Sequence, residues 1–135
     1  MIKLRCFLIL YTSFIGQISS NEDIRKLVLP EGFEISIYAD ELAMPRQISE
    51  SENSYIFIGS KTQKDDNGKI IALIDNNNDG YAEEKIIVAE GLDFPTGVSI
   101  YKKDLYFSEI NKIWKIKDID SWIDSELSDL PEREL

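Results

Sequence analysis

The 135-residue sequence contains no histidine, and its one cysteine is Cys6, close to the start. These shortages remove the imidazole base, the thiol nucleophile and any zinc site built from cysteine and histidine. No G-x-S-x-G turn and no phosphate-binding glycine loop is present either. General-base chemistry near neutral pH would fall to a carboxylate pushed upward by burial, and no residue pattern singles one out. Positive charge is also scarce: 15 Lys and Arg face 25 Asp and Glu, for a net charge of −10. Binding to nucleic acid or an anionic membrane relies on basic residues against phosphate, so both are disfavoured relative to a small neutral ligand or a cation.

Long apolar runs are missing too. At the N-terminus Lys3 and Arg5 precede an apolar run from Cys6 to Gly16, and a small-residue stretch ends at Ser20, which is the pattern of a secretory signal peptide. The run has 11 residues and includes Tyr11, Thr12 and Ser13, whereas a membrane span needs roughly 20 apolar residues. Residues 1–20 are therefore expected to direct export to the periplasm or the exterior, with no stable membrane span. Cleavage after Ser20 removes Lys3, Arg5 and Cys6, leaving 13 basic residues against 25 acidic ones and a chain that folds without a disulfide.

What is present is a repeat. ADELAMP at residues 39–45 returns as AEGLDFP at 89–95, and sliding 33–60 onto 83–110 without a gap matches Glu34 to Glu84, Ile37 to Ile87, Ala39 to Ala89, Leu42 to Leu92, Pro45 to Pro95, Ser49 to Ser99 and Phe57 to Phe107. Apolar character also persists at Met44/Phe94 and Ile48/Val98. A period of 50 residues points to a solenoid or propeller. The repeated material reads as strand: ISIYA (35–39), SYIFIG (54–59), KIIALID (69–75), KIIVA (85–89), GVSIY (97–101), DLYFSEI (104–110) and KIWKIK (112–117), parted by SEN, KDDNG, DNNNDG, GLDFP and KKD turns. The expected fold is all-β, in four-stranded antiparallel units of about 50 residues that form β-propeller blades. A small antiparallel sandwich is the competing arrangement.

In that reading four strands between Arg46 and Glu90 make one blade, three between Thr96 and Lys117 begin a second, and ISIYA is the outer strand of a blade whose other strands are missing. Residues 21–135 are thus expected to be a partial propeller with open edges and an exposed apolar flank, both of which favour self-association. After Lys117, residues 118–135 read as a short helical or irregular tail. Ile119, Trp122, Ile123, Leu127 and Leu130 fall at helical spacing, and Ser121 with Asp124 reads as a capping box. Covering one end of the blades is its expected role.

One motif resembles a metal site. In DNNNDG, residues 75–80, Asp75, Asn77 and Asp79 occupy alternating oxygen positions and Gly80 supplies the turn. A helical EF-hand is rejected, because its twelfth position is Ile86, Glu83 and Glu84 fall too early, and strands flank the loop. Weak Ca²⁺ capture in a hairpin and a plain turn built from Asn, Asp and Gly both remain open. In a propeller the innermost strands line the channel, so their lead-ins MPRQIS and FPTGVS make Arg46, Gln47 and Thr96 candidate ligand contacts, with Lys61 and Glu109 as neighbours.

These residues carry a resemblance. LPEGFEISIYADELAMPRQI, GKIIALIDNNNDGYAEE, VAEGLDFPTGVSIYKKDLYFSEINKIWKIKDID and DLPEREL, together spanning about Leu29 to Leu135, resemble the opening of the glucose/sorbosone dehydrogenase family. The resemblance implies an exported six-bladed propeller, of which about two blades are represented, and oxidation of a sugar or sugar-derived aldehyde by pyrroloquinoline quinone (PQQ) with Ca²⁺ polarising the cofactor. It assigns Arg46, Gln47 and Thr96 to PQQ only as inner-strand lead-ins. The family's catalytic histidine has no counterpart here, so the chain is expected to be an N-terminal part that is inactive alone. Two alternatives stand beside it: a non-catalytic, self-associating propeller module, and part of a lactonase-like propeller hydrolase.

Overall fold

The computed structural model describes Ile24 and residues 26–125 and 129–135. The proposed export signal and Leu127 lie outside the described residues. The chain divides into two compact units, Met1–Ile35 and Ser36–Leu135. In the first, the described residues form two turns, in which Leu27 N–H donates to the Ile24 carbonyl and Phe33 N–H to that of Pro30.

The second unit is all-β. Strands β1 (Pro45–Glu50), β2 (Ile56–Ser60), β3 (Gly68–Ile74) and β4 (Glu84–Leu92) form one antiparallel sheet in sequence order, and β5 (Gly97–Tyr101), β6 (Asp104–Ser108) and β7 (Ile113–Ile116) form another. A single helical turn, α1 (Ile119–Ile123), follows. Six of the seven expected runs become strands because their β-branched and aromatic residues suit a pleated surface, of which one face is buried in the seam between the sheets. Phe57, Ala72, Ile74 and Val88 of sheet one and Val98, Leu105, Phe107 and Ile116 of sheet two fill a common apolar seam, closed at one end by Ile119 and Ile123. Each of the Phe, Ile, Val and Leu side chains among them contributes about 1.5–3 kcal/mol when fully buried.

ISIYA is not a strand. Among the described residues no strand pairs with it, and the run is irregular, held by a hydrogen bond from Ala82 N–H to the Tyr38 carbonyl at 2.8 Å. Tyr38, Ala39 and Leu42 instead pack with Ile58 and Leu73 on the far face of sheet one and with Ala82 of the β3–β4 connection. The expected capping box is likewise absent. The residue capping α1 is Asp118, at φ +44° and without a side-chain cap bond, which leaves Ser121 inside the helix. Leu130 is exposed and off the helix, while Ile119 and Ile123 are buried.

The acidic residues of α1 serve another turn. Asp120 accepts from Asn53 N–H, and Asp124 accepts from the Asn53 amide at 3.1 Å and from the Tyr55 hydroxyl. This ties α1 to the β1–β2 connection. The Asp124 hydrogen bond, reinforced by burial and the nearby negative charge, pushes the Tyr55 phenol up to about 12. The raised value means that the protonated phenol stabilises the fold. That contribution is whole below pH ~10, the usual tyrosine value, and is lost as pH rises through about 12. Urea unfolding between pH 9 and 12 should show a steeper loss for wild type than for Tyr55→Phe, which lacks the titrating group.

The sequence repeat is also a backbone repeat. Glu41 and Gly91 are left-handed at φ +51° and +67°, and Met44 and Phe94 at φ +46° and +49°, each pair 50 residues apart. The joint ahead of β1 and the joint ahead of β5 therefore bend twice in the same way. Glycine adopts this conformation without cost from a Cβ, whereas Glu41 is strained there. Glu41→Gly should raise stability by about 0.5–1 kcal/mol, read as a higher urea midpoint.

One detail breaks the repeat. Pro45 opposes Ser60 but Ile48 opposes Ile58, so Arg46 and Gln47 together face the single Gly59 in a β-bulge. Sheet two lacks that extra residue, and Val98 opposes Phe107. A one-residue slip turns side chains to the other face. The gapless match of Phe57 to Phe107 thus pairs residues that both point into the seam from opposite sheets, whereas Ile48 and Val98 remain equivalent. At the other end of the unit, Lys115 and Glu134 exchange backbone hydrogen bonds at 2.8 Å, which covers part of the free edge of β7.

Candidate functional site

The DNNNDG loop connects β3 to β4 and folds on its own hydrogen bonds. Asp75 accepts from Asp79 N–H and Gly80 N–H, Asn77 Oδ1 accepts from Asp79 N–H, and Asp79 accepts from Tyr81 N–H, at 2.8–3.2 Å. These side-chain-to-backbone bonds are those of a plain Asx-type turn. The antiparallel return of β4 also brings in Glu83, which accepts from Asn76 N–H at 3.1 Å and from the Asn77 amide at 2.6 Å. Carboxylate oxygens of Asp75, Asp79 and Glu83 lie within 4.8 Å of one another. Two ligands on one Ca²⁺ at 2.3–2.6 Å can be that far apart, and the donor set is all oxygen, so a hard dication fits. Glu83 takes the place the linear motif gave to Asn77, whose amide faces the carboxylates instead.

Around β1 and β5 the candidates divide. Arg46 and Gln47 occupy the bulge and are exposed, and Thr96 is half-buried just before β5. Gln47 Oε1 lies 3.8 Å from the point where a Cβ on Gly97 would sit. Together with Gly97, Ser99, Tyr106, Ser108 and Ile113 it lines an open groove of about 200 Å³. Ligand sites commonly enclose about 300–1,000 Å³, and PQQ carries three carboxylates against the single guanidinium of Arg46. The described residues therefore do not by themselves fit the quinone.

Of the neighbours, Lys61 is exposed, and its backbone N–H donates to the Met44 carbonyl at 2.9 Å, fastening the first joint. Glu109 has a structural post, accepting from Asp93 N–H at 2.8 Å and Trp114 Nε1–H at 2.7 Å. Burial pushes its carboxyl upward, but those two bonds and the nearby Lys112 and Arg133 outweigh burial and hold it below the usual range. Glu109 stays ionised near neutral pH and bridges the second joint to the β6–β7 hairpin.

A larger feature was not picked out from the sequence. On the face of sheet one turned away from the seam, Ile37, Tyr38, Leu42, Pro45, Ile48 and Ile56 border an apolar cleft of about 510 Å³. Ile48 is 65 % exposed there, whereas its repeat partner Val98 is 2 % exposed in the seam. The exposed flank expected of an incomplete propeller was the signal that could have located it. No helix among the described residues is long and apolar enough to cross a membrane.

Comparison with known proteins gives no activity. A protein of Borreliella burgdorferi named "Uncharacterized protein" is 27 % identical over 103 residues, covering 76 % of this chain and 24 % of that relative. The chain thus spans about a quarter of the length of the curated relative it matches. No solved structure matches it. The domain of unknown function DUF7133 matches residues 19–124, most of the seam-forming sequence included, and the chain belongs to that family.

Proposed function

We propose that this domain supplies consecutive blades of a β-propeller within a longer exported chain, and that the complete ring is a PQQ-dependent dehydrogenase of a sugar or sugar-derived aldehyde. The observation that carries the blade reading is the direction of Ile48 and Val98. These equivalent residues point the same way around, one into the open cleft and the other into the seam. Two sheets related by a two-fold axis, as in a sandwich, would place both in the seam. Tyr38, Ala39 and Leu42 support the same relation, because they cover sheet one as their counterparts Val88, Ala89 and Leu92 are buried in the seam beside sheet two.

The redox part rests on the resemblance to glucose/sorbosone dehydrogenases. In that role the two sheets are scaffold. The chain has no histidine to take a hydroxyl proton, and the bulged Arg46 and Gln47 with Thr96 offer only one edge of a cofactor pocket. The base and most cofactor contacts would come from other blades. The DNNNDG loop, on the β3–β4 connection and away from the inner-strand lead-ins, serves as a hairpin turn that a Ca²⁺ ion can reinforce.

The test is dye-linked oxidation with PQQ and Ca²⁺, run on this chain and on the longer relative with a panel of sugars and aldehydes. Reduction by the longer protein alone is the expected result. Turnover by these 135 residues would contradict the scaffold role, and no turnover by the loaded longer protein would remove the redox assignment.

A further inference from the structure

Asn67–Gly68 is the only Asn-Gly step in the sequence, and it joins a single helical turn, Lys64–Asp66, to the first residue of β3. Such a step can lose ammonia without an enzyme. The glycine nitrogen attacks the asparagine Cγ, the new C–N bond closes a five-membered succinimide ring, and the side-chain nitrogen leaves as ammonia. Water then reopens the ring, either to aspartate or to isoaspartate, in which the main chain runs through Cβ. We propose that Asn67 is a fold-gated deamidation site, held unreactive in the folded sheet and converted only in chains that have opened there. The inference rests on contacts within sheet one and is independent of the blade relation and the redox chemistry.

The gate is geometric, because Asn67 is exposed to water. Its backbone is left-handed, at φ +56° and ψ +63°. At that ψ the Gly68 nitrogen stands anti to Asn67 Cβ about the Cα–C bond, whereas ring closure needs the two eclipsed, about half a turn away. Two sets of hydrogen bonds hold this arrangement. Asn67 N–H and Gly68 N–H donate to the carbonyls of Lys64 and Gln63 at 3.0 and 3.2 Å, which fixes the backbone. Asn67 Oδ1 accepts from Gly91 N–H at 2.8 Å and Nδ2 donates to Glu90 Oε2 at 3.3 Å, which turns the side chain toward β4. Gly68 opposes Leu92 and Ile70 opposes Ala89, so Glu90 and Gly91 lie against Lys69 alone in a bulge, and Asn67 bonds to both of them.

Neither product fits this site. Aspartate sets a carboxylate in place of the amide donor, where Nδ2 stood 3.3 Å from Glu90 Oε2. Lys69 Nζ is 3.9 Å from the same oxygen, too far to replace the lost hydrogen bond, and Asp65 and Asp66 of the preceding turn add further negative charge. Isoaspartate lengthens the main chain by one atom immediately before Gly68 and withdraws the acceptor from Gly91 N–H. Gly68 has no room to shift, since even a Cβ there would lie 2.3 Å from the Leu92 carbonyl oxygen and 2.7 Å from that of Thr62. A chain converted while open therefore cannot regain this bulge unchanged.

The full chain, incubated at mildly alkaline pH both folded in buffer and unfolded in guanidinium chloride, provides the test. Trypsin releases residues 65–69 as one peptide, whose mass gain and isoaspartate content are followed with time. Conversion in the folded chain should be at least ~10-fold slower than in the unfolded one, since it waits on local opening. Equal rates overturn the gate. Asn67→Asp tests the consequence, with circular dichroism to check that the variant folds. Its new carboxyl, beside Glu90, is harder to ionise in the folded chain than in the unfolded one, so the cost is absent at low pH and grows as pH rises. The urea midpoint of the variant should fall below that of wild type at neutral pH, and the gap should close as pH drops through the carboxylate range. A gap that is absent at neutral pH, or that does not change with pH, overturns the misfit of the product.

Discussion

Gly68→Ala is expected to cost about 3 kcal/mol or more. A Cβ at this position would lie 2.3 Å from the Leu92 carbonyl oxygen, 2.7 Å from that of Thr62 and 2.9 Å from Pro95 Cδ. These are backbone atoms and a ring held by the joint, so none can rotate aside. Leu92 ends β4, Pro95 lies in the lead-in to β5, and Thr62 accepts from Phe94 N–H at 2.9 Å. One methyl group would therefore push on every segment that orients sheet two against sheet one. Gly97→Ala is the matched control, since its Cβ meets the Ser108 hydroxyl at 2.6 Å. That hydroxyl belongs to a side chain free to change rotamer, and the expected loss is under about 1 kcal/mol. Urea midpoints of the two variants against wild type decide the matter. Equal, small losses would mean that the joint is not packed as described.

Phe57→Ala should cost about 3–5 kcal/mol, the range for emptying a fully buried aromatic site. Phe57 is 0 % exposed and faces Val98, Leu105 and Phe107 across the seam. Phe107→Ala, at 1 % exposure, should lose a similar amount. Ile48→Ala is the revealing comparison. By sequence offset Ile48 matches the buried Val98, yet at 65 % exposure it should lose under about 0.5 kcal/mol. Chemical denaturation at low protein concentration, where copies do not associate, reads all three.

The strands were legible because local pattern and tertiary cover agreed. Ile56–Ser60, Gly68–Ile74, Gly97–Tyr101 and Asp104–Ser108 are short runs rich in apolar β-branched and aromatic residues between turns rich in Asn, Asp, Gly and Lys, and each found a neighbour in sequence order. ISIYA has the same local pattern but pairs with no strand among the described residues, and a ladder cannot form from one side. The bulge at Arg46 and Gln47 was not visible because an extra residue in a strand leaves composition and period almost unchanged, although it reverses which residues share a face. Ser121 was misread for a related reason. Asp118 adopts a left-handed conformation after β7, which starts the helix three residues earlier than a capping box at Ser121 would. In the acidic loop, counting along an EF-hand discarded Glu83, whereas a hairpin returns the chain and brings residues 76 and 83 together. Arg46 and Gln47 lie in β1 and Thr96 just before β5, but whether they converge on a ligand depends on neighbours that linear spacing does not encode.

The most direct measurement is thiol labelling at positions 48 and 98. In a Cys6→Ser background, Ile48→Cys and Val98→Cys place a single thiol at each of two equivalent points of the repeat. With the protein dilute enough to keep copies apart, the thiol at 48 should react with Ellman's reagent at nearly the rate of the unfolded chain. The thiol at 98 should react at least ~10²-fold more slowly, because labelling there requires the seam to open. Protection at both positions would contradict the account, since it would mean that Ile48 and Val98 share one buried interface and that the two sheets are not successive blades.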